Sequence, residues 1–225
     1  MRVALGIDAC PRGWAAVELR DGHFCAAHVG RTLAEVIERV PGAGAIAVDI
    51  PLGLLECAWR NADTAAKRYL VGRSSSVFMT PPRTALLEAD YARARIRCRE
   101  LTGNAFSIQA WGLKTKLLEA NTVYESGRYP LWEVHPEVSF TAMGLLPADG
   151  SKKSWRGQRA RVRLLQESGV DLPDDLGSAG DAPSDDLLDA AAAAWSADRI
   201  AKHGAMSLPD PPELSDHDQP IAIWY

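Results

Sequence analysis

The sequence predicts an α/β fold in which helices flank a mixed β-sheet. Two short apolar runs bounded by turn residues, at 3–8 and 44–50, are typical of buried strands. The chain between them predicts two more strands and one helix, which gives the order β-β-β-α-β. A later strand at 129–135 and a long final helix extend this pattern, and residues from about 51 to 128 form a mostly helical, basic insertion. With 225 residues, 47% of them hydrophobic, we expect residues 1–225 to be one domain.

The first strand ends at Asp8 and leads through a Pro and Gly turn into strands at 14–20 and 23–29. Asp21-Gly22 between the last two is a strong two-residue hairpin signal, so these strands are predicted to form an antiparallel meander. A carboxylate at the end of a buried strand is costly unless it binds something. Capping of the turn by hydrogen bonds to backbone amides is an equally good interpretation of Asp8 from this stretch alone.

Thr32 is a predicted N-cap for a helix that ends at Pro41-Gly42, and the next strand ends at Asp49. If the strands that end at Asp8 and Asp49 are parallel neighbours, their two carboxylates lie side by side, because ligands gather at the carboxyl ends of such strands. Adjacent carboxylates repel each other unless a cation lies between them. This arrangement predicts a metal site better than it predicts two separate caps.

The predicted insertion carries a surplus of positive charge. Residues 56–170 contain 18 basic and 11 acidic side chains, which fits a polyanionic ligand, although a surplus on solvated helices is the commoner explanation. A loop with Arg73, Ser74 and Ser75, and Arg83 just after Pro81-Pro82, offers guanidinium and hydroxyl groups that suit phosphate oxygens. A serine-rich connector that caps the next segment explains the loop equally well.

The strand at 129–135 carries Glu133 and His135 on one face by period-two alternation. A Glu buried on a central strand points to function, whereas a His there is more often a hydrogen-bonded core residue. The run from Lys152 to Arg159 contains no acid, so Lys153 could contact a phosphate backbone, with a solvated helix start as the alternative.

The final helix begins at Pro183-Ser184 and continues to about His203. Asp186 and Asp189 lie on one face, one turn apart, and the alanines after them let the helix backbone lie close to the sheet. The helix dipole explains acids in the first turn, but it explains Asp189 less well. The tail from 205 is predicted to be irregular up to Ile221, and Asp216-His217-Asp218 within it is taken as polar tail.

Several classes of protein are disfavoured. No run approaches eighteen apolar residues and no secretory signal precedes the first strand, so we expect a soluble, cytoplasmic protein without a membrane partner. The four cysteines lack the C-x-x-C spacing of a zinc or redox site. The sequence is compatible with a homodimer.

Five sequence blocks resemble the signature of an uncharacterised bacterial family, the domain of unknown function 429 family, described as predicted ribonuclease H-like nucleases. They span residues 5–195 and read Gly6-Ile-Asp-Ala-Cys-Pro-Arg-Gly-Trp14, Val48-Asp-Ile-Pro-Leu-Gly53, Arg73-Ser-Ser-Ser-Val-Phe78, Glu133-Val-His-Pro-Glu-Val-Ser-Phe140 and Asp185-Asp-Leu-Leu-Asp-Ala190. The resemblance implies a ribonuclease H-like fold and a nuclease activity. The last block is also similar to the final-helix motif of Holliday-junction resolvases of that superfamily.

The hypothesis that follows is a two-metal phosphodiesterase acting on DNA or RNA. Asp8 would bridge two Mg²⁺ or Mn²⁺ ions about 4 Å apart, with Asp49 and Glu133 on one ion and Asp186 or Asp189 on the other. The substrate phosphates would be bound by a second set of residues: Arg73, Ser74, Ser75, Arg83 and Lys153. The alternatives are a binding or regulatory module without turnover, and another phosphoryl-transfer enzyme or phosphate-ester hydrolase.

Overall fold

A computed structural model describes residues 1–215 and 218–225, so that Asp216 and His217 of the tail lie outside the described residues. Within these limits the strands are β1 Val3–Cys10, β2 Gly13–Arg20, β3 His23–Gly30, β4 Ala45–Asp49, β5 Leu131–Glu133, β6 Ser207–Leu214 and β7 Pro220–Trp224. The helices are α1 Leu33–Glu38, α2 Asn61–Tyr69, α3 Arg83–Leu86, α4 Tyr91–Thr102, α5 Ile108–Gly112, α6 Lys114–Glu125, α7 Pro136–Ala142, α8 Trp155–Glu167 and α9 Ser184–Ala201.

The main sheet has five strands in the order β3-β2-β1-β4-β5. The first three strands form an antiparallel meander, and β4 and β5 run parallel to β1. In the parallel pair, Asp8 lies directly opposite Asp49. The mixed sheet and the parallel alignment of the two aspartates are therefore as the sequence predicts.

The local signals near the N-terminus form the expected structures. Asp21 and Gly22 have φ angles of 50° and 89°, the left-handed conformations that a two-residue hairpin with the twist of its strands requires. The Thr32 hydroxyl accepts a hydrogen bond of 3.1 Å from the Glu35 amide and caps α1.

Period-two alternation along β1 divides the core into two layers. Leu5 and Ile7 pack with residues of α1 and α6 on one face of the sheet. Ala4, together with Ala47 of β4, faces the other side, where α7, α8 and the alanines of α9 pack. Because Gly6 and Asp8 share the parity of Ala4, they lie on the face that α9 covers.

Helix α9 approaches the sheet most closely at Gly6. A Cβ atom at this position would lie 1.9 Å from the Ala194 amide nitrogen and 2.2 Å from the Ala190 carbonyl oxygen. Only glycine leaves room for this contact, and only small residues on α9 let the helix backbone reach the sheet.

The region between β4 and β5 contains the helices α2 to α6. The tail differs from expectation: the prediction that it is irregular from 205 is wrong, because β6 pairs antiparallel with β7. The register shifts between Leu208 and Glu213, so the prolines at 209, 211 and 212 fall where the ladder is interrupted. Sequence patterning misses this strand because prolines ordinarily exclude regular pairing.

None of the helices formed by residues 1–215 and 218–225 has the length and apolar character needed to cross a membrane.

We expect Gly6→Ala to lower the free energy of unfolding by at least about 2 kcal/mol, because the added methyl group meets backbone rather than a flexible side chain. Urea denaturation followed by circular dichroism measures this change. Gly112→Ala is the matched control, since no atom lies within 4 Å of its added Cβ. Equal stability of the two variants would contradict the tight contact between β1 and α9.

Candidate functional site

Three aspartates from three elements meet at the carboxyl ends of β1 and β4. Asp8 lies two residues before the end of β1, Asp49 ends β4, and Asp189 lies in the second turn of α9. One carboxylate oxygen from each residue lies within 4.8 Å of the others. Asp8 and Asp189 are only 6% and 2% exposed, so two of the three charges are removed from water.

This burial raises the pKa of all three carboxyl groups. Burial, and then repulsion from Asp49 and Asp189, holds the pKa of Asp8 well above its usual value. Burial likewise raises the pKa of Asp49 to about 6 and that of Asp189 to about 7, and Lys152 partly offsets both increases. The cluster therefore binds protons at pH values at which an exposed aspartate has lost them.

Lys152 is the cation nearest to this cluster. Its ammonium group donates a hydrogen bond to Asp189 Oδ2, and the attraction of the aspartates raises its pKa despite burial. The sequence hypothesis selected Lys153 instead, which donates to Asp185. Both lysines belong to one run without acids, and no pattern in the sequence indicates which of them reaches the strand ends.

The donor set fits a hard divalent cation. All three side chains offer carboxylate oxygens, the ligands that Mg²⁺ and Mn²⁺ prefer. Asp189 Oδ1 is buried and has no hydrogen-bond partner among the described residues, so this oxygen is available to a ligand. Three carboxylates against one ammonium also leave two uncompensated negative charges when all are ionised.

Glu133, which the sequence hypothesis placed on a metal ion, lies outside this three-aspartate cluster in the structure. Its two oxygens accept hydrogen bonds of 2.7 and 2.6 Å from the Arg60 guanidinium, and Oε2 also accepts 2.8 Å from the Leu52 amide. Arg60 is 1% exposed and donates to Asp63 and to the Leu52 carbonyl as well. A buried guanidinium needs such partners, so Glu133 fixes the turn after Asp49 to β5.

Asp186 also lies apart from the three clustered oxygens. It is partly exposed, one turn before Asp189, and burial followed by repulsion from Asp185 raises its pKa. Its charge still contributes to the repulsion felt by Asp8 and Asp49. We therefore place Asp186 beside the cluster rather than in it.

A cleft of about 480 Å³ opens directly onto Asp49 and Asp189. Its polar lining from other parts of the chain consists of Arg73, Ser75, Ser76, His135, Glu137, Ser151, Lys152 and Arg161. Of the residues predicted to bind phosphate, Arg73 and Ser75 line this cleft. Ser74, Arg83 and Lys153 do not: Arg83, for example, forms ion pairs with Glu56 and Glu125 away from it.

Two arginines share one glutamate in the wall of the cleft. Arg73 Nη1 donates to Glu137 Oε2 at 2.7 Å, and Arg161 donates to Glu137 Oε1. Burial opposes ionisation of Glu137, but the two guanidinium groups outweigh it and lower the pKa of this carboxyl. The wall carries one net positive charge, and the buried Arg161 Nε has no hydrogen-bond partner among the described residues.

His135 lies between this cleft and a smaller cavity of about 170 Å³ that reaches Asp8. Burial lowers the pKa of its imidazole, so the ring is mostly uncharged at pH 7. Its Nδ1 atom is buried and lacks a hydrogen-bond partner among the described residues. Period-two alternation indicates the face of His135, but neither that pattern nor composition indicates that Glu137 and Arg161 line the same cleft.

Fold and site together define an α/β protein with a mixed five-stranded sheet and a buried three-carboxylate cluster suited to a divalent cation. A family model described as Protein of unknown function (DUF429) matches residues 6–214. The chain therefore belongs to the DUF429 family, as its five sequence blocks predict. Comparison with curated proteins and with solved structures gave no match.

We expect Asp8→Asn to stabilise the metal-free protein at pH 8 by more than about 0.5 kcal/mol, the usual limit for a surface substitution. The reason is that the pKa values of Asp49 and Asp189, about 6 and 7, exceed the value of about 3.9 in an unfolded chain. Between about pH 4 and 7 the folded state holds more protons, so the free energy of unfolding from this cluster falls as pH rises. Asp8→Asn removes one of the three repelling charges, so the variant loses less free energy of unfolding than wild type as the pH rises.

Urea titrations of wild type and Asp8→Asn in EDTA at pH 5 and pH 8 measure the difference. The difference in stability between Asp8→Asn and wild type should be larger at pH 8 than at pH 5. Asp174→Asn, at an exposed position, is the control. A variant that is less stable than wild type at pH 8 would contradict repulsion within the cluster.

We expect Glu133→Gln to lower the free energy of unfolding by about 2–5 kcal/mol, because it removes a charge that pairs with the buried Arg60. The Mn²⁺ affinity of the folded variant should stay within about twofold of wild type, whereas Asp189→Asn should lower that affinity more than tenfold. Isothermal titration calorimetry below the melting temperature of each variant measures both. A loss of Mn²⁺ affinity in Glu133→Gln equal to that in Asp189→Asn would restore Glu133 as a ligand.

Proposed function

We propose that the chain is a phosphodiesterase that depends on Mg²⁺ or Mn²⁺ and hydrolyses nucleic acid. The observation that carries this proposal is the cluster of Asp8, Asp49 and Asp189, whose oxygens lie within 4.8 Å of one another while two negative charges stay uncompensated. A divalent cation has the charge and the ligand preference that this cluster needs.

A ribonuclease H-like fold is part of the proposal. It is supported by the chain order β-β-β-α-β followed by a strand and a late helix, and by the position of the aspartates at the ends of β1 and β4 and in α9. The membership of the DUF429 family agrees with the five sequence blocks that suggested this fold.

One set of residues in the site would bind the metal ion, and another set would bind the substrate. Asp8, Asp49 and Asp189 would hold the cation, which when bound lowers the pKa of a coordinated water and stabilises charge on the phosphate. Arg73 and Arg161 would attract the phosphate to the cleft wall, and the hydroxyls of Ser75 and Ser76 can donate to its oxygens. The uncharged His135 can exchange a proton at Nδ1, which has no protein partner among the described residues.

Lys152 would have a different partner when a divalent cation is bound at the aspartates. Without a cation, its ammonium group neutralises Asp189. Because a divalent cation would compete for the same carboxylate, Lys152 would be released toward the cleft that it already lines, where it can contact a phosphate oxygen.

The same ion pair favours a second candidate, a binding module without turnover. A resident ammonium group can stabilise buried carboxylates permanently, and then no metal is required. The two candidates differ in one measurable property, the affinity of the folded chain for Mn²⁺. A third possibility, a hydrolase of small phosphate esters, differs in its preference for monoesters.

We expect purified chain with Mn²⁺ to cleave single-stranded, hybrid or branched nucleic acid, and to hydrolyse bis(p-nitrophenyl) phosphate in preference to p-nitrophenyl phosphate. Asp8→Asn and Asp49→Asn should each lower the rate at least about 100-fold, because each removes a charged ligand. EDTA should abolish the activity, and added Mn²⁺ should restore it.

Arg83→Gln is the control variant, since Arg83 lies outside the cleft and should keep most of the activity. Equal rates in wild type and Asp8→Asn would contradict the proposed phosphodiesterase activity. Absence of Mn²⁺ binding in the folded wild type would favour the binding module, and a preference for the monoester would favour the small-ester hydrolase.

A further inference from the structure

Among residues 1–215 and 218–225, the one Trp, Tyr or Phe side chain that is mostly open to water lies on helix α8. Trp155, its first residue, is 78% exposed. The Arg159 guanidinium lies over its indole ring, with the guanidinium carbon 5.7 Å from the ring centroid. An indole face this accessible can stack on another flat ring that approaches from the solvent.

The rest of this helix face is basic. Arg156, Arg159 and Arg163 follow one another at i, i+3 and i+7, so they share one side of the helix, and all three are exposed. Arg156 and Arg159 form no ion pair with any residue in 1–215 or 218–225, while Arg163 reaches Glu167 only at 3.8 Å. We call Trp155, Arg156, Arg159 and Arg163 the α8 stripe.

The loop that precedes α8 connects the α8 stripe to the cleft. The loop before α8 lines the cleft through Lys152, whose ammonium group contacts Asp189. The same loop packs on the first turn of α8, because a Cβ at Gly157 would lie only 2.0 Å from the Ser151 carbonyl oxygen. Trp155 is three residues beyond Lys152, so the stripe starts at the end of the loop that reaches the acidic cluster, while Arg161, which lines the cleft, lies on the opposite side of α8.

We propose that the α8 stripe binds a single-stranded polynucleotide beside the cleft. One unpaired base would stack on Trp155, and the guanidinium groups of Arg156, Arg159 and Arg163 would contact successive phosphates. This inference rests on the proposed function and names its substrate class. A single strand fits better than a duplex, because a base inside a duplex is already stacked and cannot offer its face to an exposed indole.

The charge of the stripe favours a nucleic acid over a protein partner. The segment from Lys152 to Gln166 contains no acidic side chain, so no acid of this segment repels a polyanion that approaches the arginines. Free arginines beside an exposed aromatic residue are the combination by which proteins bind single strands without reading their sequence.

The experiment measures the fluorescence anisotropy of labelled dT12, rU12 and a 12-base-pair duplex, in EDTA at about 50 mM salt. We expect wild type to bind both single strands more tightly than the duplex, and Trp155→Ala to weaken single-strand binding roughly 5- to 100-fold. Arg156→Ala combined with Arg159→Ala should lower the slope of log affinity against log salt by about 1.4. Trp155→Phe should recover part of the binding.

The matched controls are on α4, which also exposes an apolar residue among arginines. Ile96, 61% exposed, is changed in Ile96→Ala, and the charge control combines Arg95→Ala with Arg99→Ala. Both controls should bind within about twofold of wild type. Thermal melting of every variant verifies that it is folded.

Binding of Trp155→Ala equal to wild type, or equal losses for the α4 and α8 variants, would overturn the inference. So would a loss in Trp155→Ala as large for the duplex as for dT12 and rU12, since the indole would then not bind an unpaired base. Because binding is measured without metal, an inactive chain would refute the nuclease and leave this result standing. A chain that cleaves the small diester while its stripe variants bind dT12 normally would refute the stripe alone.

Discussion

The close packing of α9 on β1 determines where the site can form. At Gly6 the helix backbone touches the strand backbone, with Ala190 and Ala194 on either side of the contact. From there the strand advances two residues to Asp8, about 6.8 Å, and the helix retreats about one turn, 5.4 Å, to Asp189. The two carboxylates meet because these steps are similar in length. Any side chain at position 6 would separate helix and sheet and move Asp189 away from Asp8.

Such packing brings together groups that repel one another. Asp8 and Asp189 are buried and face Asp49, and Lys152 is the nearest cation. Folding therefore places uncompensated negative charge in a region of low polarity, which lowers stability at neutral pH and raises the affinity for a divalent cation. This conflict between stability and charge is a frequent property of functional sites. It sets the three aspartates apart from the other buried acids of the chain.

The other buried acids each pair with a neighbouring arginine, except for Asp185, which pairs with Lys153. Glu133 and Asp63 pair with Arg60, and Glu137 pairs with Arg73 and Arg161. These ion pairs hold the turn after Asp49 and the wall of the cleft in position, so they support the site without belonging to the cluster. Charge balance separates the two groups: two acids share the guanidinium of Arg60 and Glu137 has two guanidinium groups, whereas three aspartates share one ammonium group.

The sequence alone determined the order of the first elements, the hairpin at Asp21-Gly22, the parallel neighbours that end at Asp8 and Asp49, and the family. These features depend on local propensity and on the period-two pattern, both of which are encoded within a few residues. The tertiary structure decided that Asp189 and Lys152 reach the cluster while Glu133 and Lys153 pair elsewhere, and that the proline-rich tail pairs as β6. Except for the pairing of β6 with β7, those outcomes depend on contacts between residues about 30 to 180 positions apart, and a local pattern contains no information about which of several similar charged side chains will find a partner.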